Sequence, residues 1–297
     1  MIHFYSSHTS FGGSTLILSS VVRLLNEAGV PVLFHGTDPW FESLSPYNKA
    51  DGFPKLKPDD IFVCHLLALL ERPNVKKSIY VTHEETWAFR VANFKCQKCG
   101  TAGVHKHRAG SSLPAVCRPC AKRTAEFTGL VTFDHVVFSS IAHEKKSRSL
   151  QTNWGPSSII PNPVEVDFVW QPPTEPVAGI IGTVEPRKAP HISIQKAQDA
   201  GFKKILLYGN KAPAYFDECV APLLNEDVRY MGLADDREAM YNSISEVFHY
   251  STQEQALMVL GECKKLGIPF HGSDDVHDWD LYSDEHIVTA WRNLLEV

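Results

Sequence analysis

The sequence predicts an α/β protein with parallel sheets in two domains, and three observations carry that expectation. Residues 2–5 form a β-type run, a glycine loop at Gly12-Gly13 follows, and apolar residues recur with helical spacing at Leu16, Ile17, Val21, Leu24 and Leu25 before Gly29 and the run Val30-Pro31-Val32-Leu33-Phe34. The same order of strand, loop, helix and strand returns far along the chain. There Val247-Phe248-His249-Tyr250 leads through a polar turn bearing Glu254 to an apolar helical stretch with Glu262, closed by Gly267-Ile268-Pro269-Phe270. Between them, Ile205–Asn210 and Val228–Gly232 read as strands that each end at a glycine, Gly209 and Gly232. A length of 297 residues suits two domains of ordinary size.

The totals narrow the class. Hydrophobic content of 43% with 21% charged residues describes a soluble globular chain. No run of about eighteen apolar residues occurs, so no membrane span is expected. The opening Met1-Ile2-His3-Phe4-Tyr5-Ser6 lacks a basic segment followed by a long apolar one, so a signal peptide is not expected and the cytoplasm is the expected compartment. A net charge of −5 gives no general attraction to nucleic acid.

Two more strands are expected in the first half, at Asp59–His65 and Ser78–His83, each ending in a histidine. A histidine at a strand end is ordinarily a hydrogen-bonded structural residue, and His65 is read so. Glu84 and Glu85 read as a solvated turn.

The second strand-loop-helix unit is where chemistry is expected. In an open parallel sheet the loop after a strand lies at the carboxyl edge, where ligands bind, and a helix amino terminus favours anions. Glu254 sits at such a mouth with Glu262 further along, roughly 12 Å if the whole interval were helical. Two carboxylates flanking a phosphate-friendly helix end suit a diphosphate with hydroxyl-bearing rings on either side, the layout of a nucleotide sugar.

Glu254-x7-Glu262, preceded by a strand and Ser251 and followed by Gly267-Ile268-Pro269, resembles the donor-site signature of retaining family 4 glycosyltransferases of the GT-B fold, two facing Rossmann-like domains. The resemblance implies that Glu254 holds donor sugar hydroxyls and Glu262 the ribose hydroxyls. It also implies that Gly12 and Gly13 face the donor phosphates, and that His83, after Val81-Thr82, lies close to the donor sugar. Asp134–Ser139 matches the family's Asp-x-x-(apolar)-x-Ser strand, and Ile160-Pro161-Asn162-Pro163-Val164-Glu165-Val166-Asp167 resembles its interdomain linker, with Pro163 in place of Gly. Gly182-Thr183-Val184-Glu185-Pro186-Arg187-Lys188-Ala189 resembles the loop whose Arg and Lys neutralise the donor diphosphate. Lys188 matches the Lys, Thr183 stands at the Arg position, and Arg187 offers the charge from a neighbouring place. Gly209 falls in the nucleotide-binding domain. The implied domains are 1–164, on the acceptor side, and 165–297, on the donor side, with the terminal helix over Glu285–Leu295 crossing back to the first. The expected activity is transfer of a sugar such as that of UDP-glucose to a hydroxyl. Glu254, His83 and Lys188 carry it, and no catalytic divalent metal is implied.

Residues 94–123 stand outside this pattern. Cys96-Gln97-Lys98-Cys99-Gly100 and Cys117-Arg118-Pro119-Cys120 form two knuckles with a spacing that fits a closed structural zinc site, so a small zinc-ribbon-like insert in the first domain is expected. The insert carries Lys106, Arg108, Arg118 and Lys122 among other cations, and Lys95–Arg123 contains no Asp or Glu. That charge either offsets the thiolates of the zinc site or binds a polyanion through phosphate contacts. Three alternatives follow: a hydroxymethylated base in DNA as acceptor, as in bacteriophage glucosyltransferases; a polysaccharide or lipid-linked sugar; or a non-catalytic nucleic-acid-binding protein on a degenerate GT-B scaffold. The insert yields the first prediction: purified protein should contain about one zinc per chain held by the four cysteines. Elemental analysis without zinc, together with four titratable thiols, would remove the site.

Overall fold

The structure is a computed structural model and describes residues 1–6, 13–36, 49–50, 52–65, 73–83, 133–150, 155–251, 254, 257–272 and 282–297. The chain divides into two compact units, Met1–Pro163 with Tyr282–Val297, and Val164–Leu281. Each unit is built on one parallel sheet.

In the first unit β1 (Ile2–Ser6) is followed by α1 (Gly13–Glu27), β2 (Val32–His35), β3 (Lys49–Ala50), β4 (Ile61–His65), β5 (Lys77–Val81), β6 (His135–Phe138), α2 (Ile141–Leu150) and β7 (Ser157–Ile159). The strands lie in the order β3-β2-β1-β4-β5-β6-β7 and every pairing is parallel. Parallel strands covered on both faces are apolar throughout, and β4 is buried at all its positions. One face packs Phe4, Val63, Ile79 and Val137 against Leu18, Val22 and Leu25 of α1, while Phe62, Cys64, Tyr80 and Phe138 fill the other. The sequence placed the starts and ends of β1, β4, β5 and α1 within a few residues, but β3 and β7 are too short to leave a period.

The terminal helix, Asp284–Leu295, belongs to this unit. Ser283 caps it by accepting from His286 N at 3.2 Å, and Asp284 and Glu285 sit in the first turn, where negative charge favours the helix dipole. Its apolar stripe of Ile287, Trp291, Leu294 and Leu295 is buried beside α1 and β1, with the Trp291 and Phe4 rings 5.5 Å apart. At its far end Lys77 Nζ donates to Leu294 O at 2.6 Å and Arg292 donates to Ala28 O.

The second unit runs through β8 (Val177–Ile181), α3 (Pro190–Asp199), β9 (Lys204–Tyr208), β10 (Val228–Gly232), α4 (Arg237–Asn242), β11 (Glu246–His249), α5 (Met258–Leu266) and β12 (Phe270–Gly272). Its strand order, β10-β9-β8-β11-β12, repeats the pattern around β1 in the first unit, so both are Rossmann-like. In each sheet the order reverses direction at one point, between β1 and β4 and between β8 and β11. The gap left there between diverging loops is where a doubly wound sheet takes a ligand.

Because Trp291 is 2% exposed and no other described ring meets Phe4, Trp291→Ala should destabilise the first unit by about 3–5 kcal/mol. Denaturant unfolding checks it, and a loss below about 1 kcal/mol would show that the terminal helix adds little.

Candidate functional site

The carboxyl edge of the second sheet brings two loops together. After β8 the chain passes through Gly182–Ala189 into α3, and from His249 at the end of β11 it passes Tyr250, Ser251 and Glu254 on its way to α5. The first loop is fixed by its backbone: Val184 N donates to Asn210 O at 2.7 Å, Ala212 N returns to Val184 O at 2.9 Å, and Lys188 N turns back to Glu185 O at 3.1 Å. Ala189 closes the turn in the left-handed region at φ 43°, and Pro190 starts the helix. The two loops are then tied, since Ser251 Oγ donates to Arg187 O at 3.1 Å and Tyr250 N donates to Ser193 Oγ at 3.0 Å.

This framework places Lys188 against Glu254. Lys188 Nζ donates to Glu254 Oε1, His249 Nε2 donates to the same oxygen at 2.9 Å, and Arg187 Nη1 lies 3.9 Å from Oε2. The Glu254 side chain is 9% exposed. Burial by itself would raise its pKa, but the His249 hydrogen bond and the Lys188 charge prevail and hold it at about 2. Burial pushes the Lys188 ammonium below its usual range, with Glu254 opposing the shift. Arg187 also pairs with Glu185 at 2.8 Å. The sequence singled out Lys188, Arg187 and Glu254 separately; that Lys188 and Glu254 bond each other was not visible in it, nor was the part of His249.

Glu262 lies on α5 in a different environment. Arg237 Nη2 donates to its Oε1 at 2.7 Å and to Glu165 O at 3.1 Å, and the Tyr241 hydroxyl donates to Oε2. Burial raises the Glu262 pKa against the pull of Arg237, and burial beside Glu262 raises that of Tyr241 well above the ordinary phenol value. Arg237 and Tyr241 come from α4, whose start is capped by Asp236 accepting from Ala239 N at 2.9 Å. The cap is legible in sequence, whereas the pairing of Arg237 with a residue 25 positions away is not.

Gly209 closes β9 at φ 138°, where a Cβ would collide with the Gly182 carbonyl, so this position needs glycine for both backbone reasons. Next to it Lys211 Nζ stands 3.9 Å above the Phe216 ring and 5.4 Å from that of Tyr230, a cation–π pair that sequence reasoning missed.

In the first unit His83 closes a buried chain of hydrogen bonds at the carboxyl edge of β1, β4 and β5. Ser6 Oγ is 3.2 Å from His65 Nδ1, His65 Nε2 is 3.1 Å from His83 Nδ1, and His83 Nε2 is 3.2 Å from Asn162 Oδ1. With the amide oxygen accepting, His83 donates from Nε2 and accepts at Nδ1. Burial, then His143, lowers its pKa to about 4, so it is neutral near pH 7 and both ring nitrogens are engaged. Gly13 is the first residue of α1.

Gly12, Glu84, Glu85, the four cysteines and the basic side chains Lys106, Arg108, Arg118 and Lys122 lie outside the described residues. So does the one Asp-x-Asp of the chain, Asp278-Trp279-Asp280, which the expectation of metal-free catalysis passed over. Among the described residues no group of three or more His, Cys, Asp or Glu is placed to hold a metal ion, and no helix is long and apolar enough to cross a membrane.

No family model and no curated protein matches the chain. Solved structures do. HepE of Anabaena, in complex with UDP and glucose, superposes with a TM-score of 0.59 at 15% identity over 91% of this chain and 79% of that one. WaaG, a glycosyltransferase involved in lipopolysaccharide biosynthesis, gives 0.61 at 13% identity over 100% and 91%. Sucrose-phosphate synthase from Thermosynechococcus elongatus gives 0.60 at 16% identity over 99% and 89%. The chain has the two parallel-sheet α/β units of the GT-B glycosyltransferase fold.

The Lys188–Glu254 pair generates a prediction about stability. Lys188→Met and Glu254→Gln should each cost roughly 1–3 kcal/mol by stranding a partly buried partner, and the double variant less than their sum. Glu254 has a folded pKa below its unfolded one, so its contribution is present above about pH 4.5 and is lost as pH falls toward about 2. A thermodynamic cycle with coupling below about 0.3 kcal/mol, or an unchanged acid transition in Glu254→Gln, would contradict the pairing.

Proposed function

We propose that the protein is a retaining glycosyltransferase that takes a sugar from a nucleotide-diphosphate donor, UDP-glucose being the first to try. The observation that carries this is the Lys188–Glu254–His249 group at the β8/β11 switch point of a Rossmann-like unit. A cation and a carboxylate held together at that edge offer one partner to a diphosphate and the other to sugar hydroxyls.

In this proposal the diphosphate replaces Glu254 as the partner of Lys188, and the ammonium then faces charge that grows as the glycosidic bond breaks. Arg187, already near Glu254, supplies the second cation where Thr183 stands in place of the family's Arg. Pro190 removes one N–H from the start of α3, so side-chain cations carry more of that work than helix donors. Glu254, released from Lys188, accepts from the sugar hydroxyls. Glu262, with both oxygens engaged by Arg237 and Tyr241, takes ribose hydroxyls by sharing those oxygens. His83 contributes as a neutral, oriented imidazole. Gly12, Gly13 and Gly209 give the donor close backbone approach. The residues this proposal uses do not imply a catalytic divalent metal.

The acceptor belongs to the same proposal: a hydroxymethylated base in DNA, held by Lys106, Arg108, Arg118 and Lys122 of a structural zinc insert on Cys96, Cys99, Cys117 and Cys120, in the cytoplasm of a bacterium or phage-infected host. Its support is the local excess of positive charge on an acidic chain. A polysaccharide or lipid-linked sugar is the competing acceptor, and a non-catalytic nucleic-acid binder the competing function, with Thr183 as its support.

Donor hydrolysis and transfer should be assayed with a panel of nucleotide sugars. Glu254→Gln should lower kcat by about 10²-fold or more while the fold persists, and Lys188→Ala should weaken both donor binding and turnover. DNA affinity should fall steeply with salt, and neutralising Lys106, Arg108, Arg118 and Lys122 should flatten that slope. Normal turnover by Glu254→Gln would overturn the donor site, equal salt slopes would move the acceptor to carbohydrate, and salt-dependent DNA binding without turnover of any donor would favour the binder.

A further inference from the structure

Glu254 Oε1 receives two protein donors, Lys188 Nζ and His249 Nε2, whereas Oε2 accepts no hydrogen bond among the described residues and has Arg187 at 3.9 Å. The two donors differ in mobility. Lys188 reaches the carboxylate on four rotatable bonds. His249 is 3% exposed, its Cε1 lies 3.7 Å from where a Cβ on Gly182 would sit, and its ring stacks at 28° to that of Phe270, 6.4 Å away. The imidazole is therefore buried next to Gly182 and Phe270 and has only two torsions to fix, so its N–H has few places to point.

We propose that His249 is a positioning residue for Glu254: its Nε2–H pins Oε1, so that the carboxylate keeps its orientation and presents Oε2 to a ligand hydroxyl when Lys188 turns to an anion. Without that second donor, the anion that draws Lys188 away would also release the carboxylate, and binding at one point would disorder the other. With it, the carboxylate loses one of two anchors and holds its place. Oε2 is the oxygen that faces Arg187, so a hydroxyl bound there lies beside the cations that serve the anion. The hydroxyl's identity as a donor sugar rests on the proposed function; the anchoring does not.

The charged and titratable groups facing the carboxylate are Lys188 and Arg187 from the loop after β8, with Glu185 paired to Arg187, and the His249 imidazole from β11. Three measurements on the full chain separate the cases. In the ligand-free wild type, the nitrogen spectrum of His249 should show the Nε2–H tautomer; the Nδ1–H tautomer would overturn the proposal without any variant. In ¹³C-labelled protein the Glu254 carboxyl should titrate about one unit or more higher in His249→Leu, while His249→Gln, which keeps an N–H donor at the Nε2 place, should restore most of the shift. With UDP-glucose, or whichever donor of the panel is turned over, His249→Leu should lower kcat by about 10²-fold with a smaller change in KM, and His249→Gln should recover activity. Equal Glu254 titration in all three proteins overturns the anchoring. A shifted titration in a chain that binds no nucleotide sugar leaves the anchoring standing and removes the proposed function instead. Should His249→Leu fail to fold, the wild-type tautomer and the His249→Gln titration decide alone, and a rise of about one unit or more in the Glu254 titration of His249→Gln would count against the anchoring.

Discussion

A carboxylate that is 9% exposed has to be compensated, and the second unit is arranged around compensating Glu254. Lys188, in the loop after β8, and His249, at the end of β11, do so from parts of the chain that are distant in sequence, because the sheet order places β8 beside β11. The backbone bonds from Val184 to Asn210 and from Ala212 to Val184, and the Ser251–Arg187 and Tyr250–Ser193 ties, keep the two loops at the separation this bonding needs. Gly209 sits tight against Gly182 under the same loop, so even its glycines are part of the support.

The two glutamates of the Glu-x7-Glu pattern meet opposite electrostatic conditions. Glu254 is pulled to about 2 by direct bonds from His249 and Lys188, while Glu262, buried with Arg237 and Tyr241, is pushed up. Glu254 keeps one oxygen without a protein donor among the described residues, and both oxygens of Glu262 are bonded. A carboxylate with a spare acceptor suits a ligand that arrives and leaves. One that is fully bonded suits the architecture of α4 and α5 first and a ligand second.

His83 is bonded through both nitrogens of its ring. It was marked for its place after a strand, which the structure reproduces at the end of β5, yet its ring is spent on His65 and Asn162. A neutral imidazole with both nitrogens bonded orients its surroundings and is poorly suited to moving a proton near neutral pH.

The sequence by itself determined the class of fold and marked Lys188, Arg187 and Glu254, which the structure brings close together. Apolar runs with helical spacing between β-type runs marked β1–α1–β2 and β11–α5–β12, and their order required parallel strands, since a crossover helix leaves no other pairing. Glu254 was legible because it stands in a loop at a strand's carboxyl end, a position that local pattern reveals, whereas Lys188 and Arg187 were singled out by the resemblance of their loop to a glycosyltransferase motif. Partnership was not legible. Lys188 and Glu254 are 66 residues apart, and Arg237 and Glu262 are 25 apart. Only the strand order brings such residues within reach. His249 lay in the same stretch and drew no notice, because a histidine inside an apolar strand shows its purpose only when the side chain it faces is known. The tertiary structure decided who bonds whom, because electrostatic coupling depends on distance and dielectric, and neither is a property of the chain until it folds.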